Sequence, residues 1–245
     1  MEKKTIGILG GMGPLATADL FRKIIEMTEA ASDQEHVHVL IDSNTNIPDR
    51  TAAILHGGAD PVPELTASAK RLEAAGADLL IMPCNTAHFF YDRVQEAVGI
   101  PVVSMIEAAS EKVRSFGRTE ALILCTDGTK DAGVYQKVFD EKGISCIYPD
   151  PETQSCVMQM IYEGVKAGVA GIRDEDIEKD PRAEKIRASV ETVNRWIREA
   201  GDIPCLLACT ELPIAKDIYG LLGNFIDPTA CLAEAAIRKA GYRVK

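Results

Sequence analysis

Short apolar, β-branched runs that end in glycine, proline or a polar residue alternate along this chain with longer segments in which apolar positions recur at helical spacing. Strands buried on both faces read as continuous apolar runs, and an amphipathic helix after each one returns the chain to start a parallel neighbour. The pattern predicts strands over residues 5–9, 37–41, 79–82, 102–103, 121–125, 146–148, 205–208 and 225–226. It predicts helices over 16–31, 63–75, 87–98, 106–116, 133–142, 153–167, 181–200, 213–221 and 230–240. The dense acids of 174–180 read as a solvated loop. The fold class is therefore α/β, built on parallel sheet flanked by helices.

The pattern also repeats once. ILGGMGPLATADLF, from Ile8, has the strand, polar turn and helix order of ILCTDGTKDAGVYQKVF, from Ile123, and DLLIMPCNTA, from Asp78, matches PCLLACTELP, from Pro204. The corresponding cysteines, Cys84 and Cys209, lie about half the chain apart. Two such halves facing each other would put equivalent strand ends on opposite walls of one cleft.

Composition narrows the setting. With 245 residues, 46% hydrophobic and 26% charged, the chain can bury a substantial core as one large domain or two small ones. A formal net charge of −10, with no run of Lys or Arg to offset it, repels nucleic-acid phosphates and anionic lipid surfaces. No apolar run approaches the roughly 20 residues that span a bilayer, and MEKKT leads into a strand-like segment rather than a signal-peptide core. A cytoplasmic protein is expected. Its seven cysteines lack the even, regular spacing of a disulfide framework, and the four histidines are too scattered to complete a zinc site with Cys205 and Cys209. Cys125, Cys146, Cys205 and Cys231 fall in or near apolar stretches as small core residues, and Cys156 lies in a helical run.

Cys84 and Cys209 differ from the rest. Each follows an apolar strand and precedes a polar, cap-like pair, Asn85-Thr86 in one case and Thr210-Glu211 in the other. Ligands of open parallel sheets collect at the carboxyl ends of strands, where helix N-termini favour a thiolate over a thiol. A pair of thiols suits one chemistry well. Inverting a stereocentre takes a proton from one face of a carbon and returns one to the other, so it needs two acid/base groups, one ionised and one protonated. Each positioned group contributes about 10²–10⁴-fold.

GILGGMGPLAT, NIPDR, PCNTAH, IPVVSMIEA and CTELP, in that order from residue 7 to residue 213, resemble the motifs of the pyridoxal-phosphate-independent aspartate/glutamate racemases within the Asp/Glu/hydantoin racemase superfamily, and of its aspartate racemase branch. The resemblance implies two α/β domains related by pseudo-twofold symmetry, each a parallel sheet flanked by helices, with the active site in the interdomain cleft. It implies that Cys84 and Cys209 are the catalytic acid/base thiols. It also implies a crossed chain path, with residues 1–99 plus 224–245 forming the first domain and 100–223 the second, and a homodimer. Arg50 in NTNIPDR and Lys166 in IYEGVKAG correspond to cationic contacts for the substrate's distal carboxylate, which an acidic protein has to neutralise locally.

The G-x-G-x-x-A of Gly11 to Ala16 raises the possibility of a dinucleotide site. Asp42 lies beyond the spacing such a site prefers, and Pro14 interrupts the motif, so Gly10, Gly11 and Gly13 read better as a tight turn that presents N–H groups to a carboxylate, with Met12 lining the pocket. Asn85 and Thr86 are expected to contact the substrate's α-amino and α-carboxylate groups, and Thr210 joins the candidate contacts. Thr126 and Thr129 occupy the second half's counterpart of the glycine turn, where substrate contact and plain turn chemistry are equally open. Glu211 could orient an ammonium group, tune the Cys209 thiol or cap a helix, and His88 could raise the local positive potential or pack a helix.

The sequence therefore points to an isomerase: a cofactor-independent amino-acid racemase, with neither metal nor pyridoxal phosphate, inverting aspartate and possibly glutamate. Isomerisation or decarboxylation of another small dicarboxylate, or amino-acid sensing without catalysis, are the alternatives. Neither nucleic acid nor membrane is an expected partner.

Overall fold

The computed structural model describes residues 3–245. The chain divides into two compact units, one that runs to Ala109 and resumes at Pro228, and one formed by Ser110–Asp227.

In the first unit, β1 (Ile6–Gly10), β2 (Val39–Ser43), β3 (Leu79–Ile81) and β4 (Val102–Val103) form a parallel sheet in the order β2-β1-β3-β4. Helix α1 (Pro14–Met27) and the C-terminal helix Pro228–Lys239 cover one face. There Ile6, Ile8, Leu79 and Ile81 meet Leu20, Ile24, Leu232 and Ile237 in one buried cluster. The short α2 (Arg50–Leu55) follows β2, and α3 (Val62–Ala74) and α4 (Tyr91–Gln95) stand on the other side, where Leu9, Leu80 and Met82 pack with Leu65, Leu72 and Val94. Burial of each such side chain is worth about 1.5–3 kcal/mol. It explains why β1 and β3, buried along their whole length, are not apolar at alternate positions only.

Helix α5 (Met105–Ser115) contains the boundary between units. The second unit repeats the sheet with β5 (Glu120–Cys125), β6 (Ser145–Ile147), β7 (Cys205–Ala208) and β8 (Phe225–Ile226) in the order β6-β5-β7-β8, again parallel. Its helices are α6 (Asp127–Asp131), α7 (Val134–Glu141), α8 (Pro151–Gln159), α9 (Asp174–Lys179), α10 (Arg182–Glu199) and α11 (Leu212–Tyr219). The C-terminal helix of the first unit is α12. Leu122, Leu124, Cys205 and Leu207 pack against Val157, Ile161, Ile186, Val190 and Leu212.

Both sheets thus have the same strand order, as the internal repeat requires. In each, the chain leaves the central strand (β1 or β5) to one side and returns on the other (β3 or β7). Between those two strands the order reverses, and parallel sheets bind ligands at the carboxyl ends of strands at such a switch point.

All eight predicted strands occur, but the domain boundaries fall later than 99/100 and 223/224. Val102 and Val103 pair with Leu80 and Ile81 of the first sheet, and Phe225 and Ile226 pair with Cys205 and Leu206 of the second. The unit boundaries lie instead at Ala109/Ser110 and Asp227/Pro228. Several helices also differ. The predicted helix over 87–98 is a 3₁₀ turn (Thr86–Phe90) followed by α4, the one over 153–167 changes to a π-helix at Met160–Val165, and the acidic loop is α9. Among the described residues no helix is long and apolar enough to cross a membrane.

The turn after β1 is fixed by close packing. Gly11 has φ +94°, and a Cβ there would lie 2.3 Å from the Asn44 carbonyl oxygen. The Thr17 hydroxyl, from the first turns of α1, accepts from the Gly11 N–H at 2.9 Å and donates to the Gly13 carbonyl at 3.0 Å. Substituting Gly11→Ala therefore combines a left-handed backbone with a steric clash, and is expected to cost at least about 2 kcal/mol. At about 2–4 °C per kcal/mol for a chain this long, the melting temperature should fall by at least about 4 °C. An unchanged melting temperature would contradict the packing described.

Candidate active site

The first unit assembles Met12, Arg50, Cys84, Asn85 and Thr86, all buried. Cys84 follows β3 through Met82 and Pro83, and its N–H donates to the Met82 carbonyl at 2.8 Å. Met12, from the turn after the neighbouring strand β1, belongs to the same apolar cluster as Cys84. Arg50 opens α2, whose first turn is capped by the Asp49 carboxylate accepting from the Ala52 N–H. Its guanidinium donates to the carbonyls of Ile47 (3.4 Å), Pro48 (3.0 Å) and Met12 (3.3 Å). Those acceptors come from both loops and set the plane of the group. Arg50 is thereby held against the backbone of the glycine turn, rather than extending from a surface helix.

His88 latches the cysteine loop. Its Nδ1 lies 2.8 Å from the Cys84 carbonyl, and its Nε2 lies 3.0 Å from the Met105 N–H. A carbonyl can only accept and an amide can only donate, so the ring is the neutral Nδ1–H tautomer. Burial pushes its pKa down to about 4, against a smaller upward contribution from the Cys84 carbonyl. His88 consequently supplies no positive potential to the thiol and instead ties the Cys84 loop to the start of α5.

The second unit assembles Thr126, Thr129, Lys166, Cys209 and Thr210, and adds Glu211. Thr126 caps α6, its hydroxyl accepting from the Thr129 N–H at 3.2 Å and lying 3.1 Å from the Thr129 hydroxyl. The Gln154 amide donates to the Cys125 carbonyl and to Asp127, both at 2.9 Å, and so pins the same turn to α8. Lys166 follows the π-helix, with its N–H donating to the Ile161 carbonyl at 3.0 Å. Gly164, within that turn, leaves room for the Tyr219 ring, whose hydroxyl donates to the Val169 carbonyl at 2.8 Å. The Lys166 Nζ lies 4.6 Å from the centre of the Tyr162 ring and 3.8 Å from Glu211 Oε1.

Cys209 follows β7 directly. Its Sγ donates to Glu211 Oε2 at 3.0 Å, and the Thr210 hydroxyl donates to the same oxygen at 3.2 Å. Burial raises the Cys209 pKa well above the ordinary thiol value, and the Glu211 carboxylate adds to the rise while Lys166 opposes it. Helix proximity was expected to favour a thiolate here, but α11 is only one short helix, and the loss of water and a like charge outweigh it. Glu211 makes no side-chain cap for α11, nor does Asn85 for the turn that follows it. The polar pairs after the two cysteines therefore do not cap helices.

Two other sequence expectations change. The Gly11 N–H bonds within the turn, so it is not offered to a carboxylate. The Glu211 bond to Cys209 was one of three roles open in the sequence, and contact across two residues of one turn chose among them. All seven cysteines are free thiols, and burial raises Cys125 and Cys205 strongly and takes Cys146 up to about 11, which keeps them unreactive.

Comparison with known proteins agrees with this architecture. Residues 9–236 match a family model described as Asp/Glu/Hydantoin racemase. The broad specificity amino-acid racemase RacX of Bacillus subtilis (strain 168) is 28% identical over 245 residues, which cover 95% of this chain and 96% of the relative. Among solved structures, the Picrophilus torridus aspartate racemase is 32% identical, with a TM-score of 0.82 over 99% of this chain and 96% of that one. An aspartate racemase homologue from Pyrococcus horikoshii OT3 is 26% identical, with a TM-score of 0.71 over 97% and 99%.

The buried neutral His88 gives stability a pH dependence of known sign. Its folded pKa lies below its ordinary value of 6.5, so between those pH values the unfolded chain takes up a proton that the folded chain does not. The stability is intact above pH about 6.5 and is lost as pH falls towards 4, by about 3 kcal/mol at about 1.36 kcal/mol per unit. Urea unfolding from pH 7.5 to pH 4.5 should show this slope in the wild type and lack it in His88→Gln. Parallel profiles would contradict the assignment of the histidine.

Proposed function

This chain belongs to the Asp/Glu/hydantoin racemase family, which makes it an amino-acid racemase and an isomerase, and we propose that it inverts the Cα of aspartate, and of glutamate more slowly, by a two-base reaction between Cys84 and Cys209. The observation that carries the reading is that each unit holds one buried thiol at the carboxyl end of the strand beside its central one, β3 in the first sheet and β7 in the second. Both positions adjoin the loop of a central strand, where parallel sheets bind ligands.

One thiolate takes the Cα proton and the opposite thiol supplies a proton to the other face. The C–H bond to the first sulfur's side breaks, a new C–H bond forms on the other side, and each sulfur exchanges its protonation state. No pyridoxal phosphate and no metal enters this scheme. Arg50 and Lys166 hold the side-chain carboxylate, and Asn85, Thr86, Thr126, Thr129 and Thr210 hold the α-carboxylate and ammonium groups, with Met12 as an apolar wall. Oriented donors of this kind stabilise the carbanion-like state without reorganising as charge develops. The protein works in the cytoplasm as a homodimer.

Likeness to the Picrophilus torridus aspartate racemase supports aspartate as the substrate to test first. The broad specificity of RacX makes a wider panel worth testing, since one methylene is worth only about 1–3 kcal/mol in a pocket.

Folded Cys84→Ala and Cys209→Ala variants should each lose racemisation of aspartate, followed by chiral chromatography. Full activity in either would reject the two-base assignment, and binding of aspartate by the wild type without Cα exchange would indicate a sensor. Arg50→Gln and Lys166→Gln should raise KM for aspartate by at least about tenfold, the effect of losing a charge-assisted contact. An unchanged KM in both would remove the carboxylate assignment.

A further inference from the structure

The racemase reading leaves one buried charge unused. Glu211 is 4% exposed, and both its oxygens are engaged, Oε2 by the Cys209 thiol and the Thr210 hydroxyl and Oε1 facing Lys166. A carboxylate bonded to a thiol accepts its hydrogen and opposes its ionisation, because loss of that proton would leave two anions about 3 Å apart. The charged groups that bear on Cys209 are Glu211 and Lys166, and they act in opposite directions. Lys166 is itself fixed by the π-helix, by the Tyr162 ring and by Glu211, so the balance between the two charges is built into the second unit.

We propose that Glu211 is a positioning residue that holds Cys209 in its protonated form as the resting proton donor, with Lys166 limiting the strength of that hold. This rests on the two-base reading for its catalytic consequence, but not for its physical content. In the direction where Cys209 donates, its S–H bond breaks, the proton joins Cα, and the electron pair stays on sulfur beside the Glu211 carboxylate. The resulting like-charge pair favours prompt return of a proton, from solvent or from the next substrate's Cα. Lys166 lowers the cost of that intermediate form. Glu211 therefore sets which of the two singly protonated forms of the thiol pair the enzyme occupies between turnovers.

The test compares the wild type with Glu211→Gln and Glu211→Asp, each confirmed as folded by circular dichroism. Alkylation of Cys209 by iodoacetamide is followed by peptide mass spectrometry from pH 6 to pH 10, and kcat/KM is measured over the same range. Removing the charge in Glu211→Gln should accelerate Cys209 alkylation by about threefold or more at pH values well below both midpoints, a tenfold gain in thiolate for a fall of about one pK unit being partly offset by the weaker nucleophilicity of a less basic thiolate. The alkaline limb of kcat/KM, which reports loss of the last proton from the thiol pair, should move down by a similar interval for both enantiomers. Glu211→Asp keeps the charge and should stay close to the wild type in both measurements. Alkylation in Glu211→Gln no faster than in the wild type overturns the proposal, as does an alkaline limb that stays in place. If the wild type shows no racemisation, the racemase reading fails, while the alkylation rates still decide the role of Glu211.

Discussion

Parallel pairing of the first and third strands of each sheet is the constraint from which the rest follows. Ile8 pairs with Ile81, and Leu124 with Leu207, so the chain leaves each pair of strands at the same edge and turns there. The turn after the central strand carries backbone and small polar groups, Gly10 to Gly13 in one sheet and Thr126 to Thr129 in the other. The turn after its neighbour carries a cysteine. Apolar side chains buried on both faces of the sheets anchor the strands from which these turns leave.

The two turns are equivalent in topology but not in electrostatics. Around Cys84 the nearest imidazole is neutral, locked between a carbonyl and an amide, and the guanidinium of the same unit is held on three backbone carbonyls. Around Cys209 a carboxylate and an ammonium group sit within one short network. In a two-base reaction one sulfur begins with a proton and the other without, and each of the two singly protonated forms serves one enantiomer. The two units share a strand order but differ in the charged groups around their cysteines.

The strands were legible because they are apolar at consecutive positions and stop at glycine, proline or polar residues. The repeat was legible for the same reason, since β1 and β5, and β3 and β7, are followed by similar turns. The boundaries that the resemblance implies differ from those of the units because Val102-Val103 and Phe225-Ile226 are two-residue strands next to the crossings, and which sheet takes them is decided by pairing with distant residues. The π-helix before Lys166 left no periodic signal that sets it apart from the α-helix it continues. The upward pKa shift at Cys209 was not legible because a helix N-terminus is visible in sequence, whereas burial and the direction of the Glu211 side chain are properties of the folded chain. His88 offered the signal of four-residue spacing from Cys84, but its second bond, to Met105, comes from beyond β4.

The central claim is that one carbon is served by two sulfurs, and the fate of its hydrogen is the most direct test. Protiated L-aspartate incubated with the enzyme in D₂O, and quenched at low conversion for separation of enantiomers and mass analysis, reports which proton goes where. Two bases predict D-aspartate that carries solvent deuterium at Cα while the remaining L-aspartate is still protiated, because the abstracted hydrogen stays with one thiol and the delivered one comes from the other. D-aspartate that retains the substrate's own hydrogen, or L-aspartate that exchanges faster than it inverts, would contradict the account.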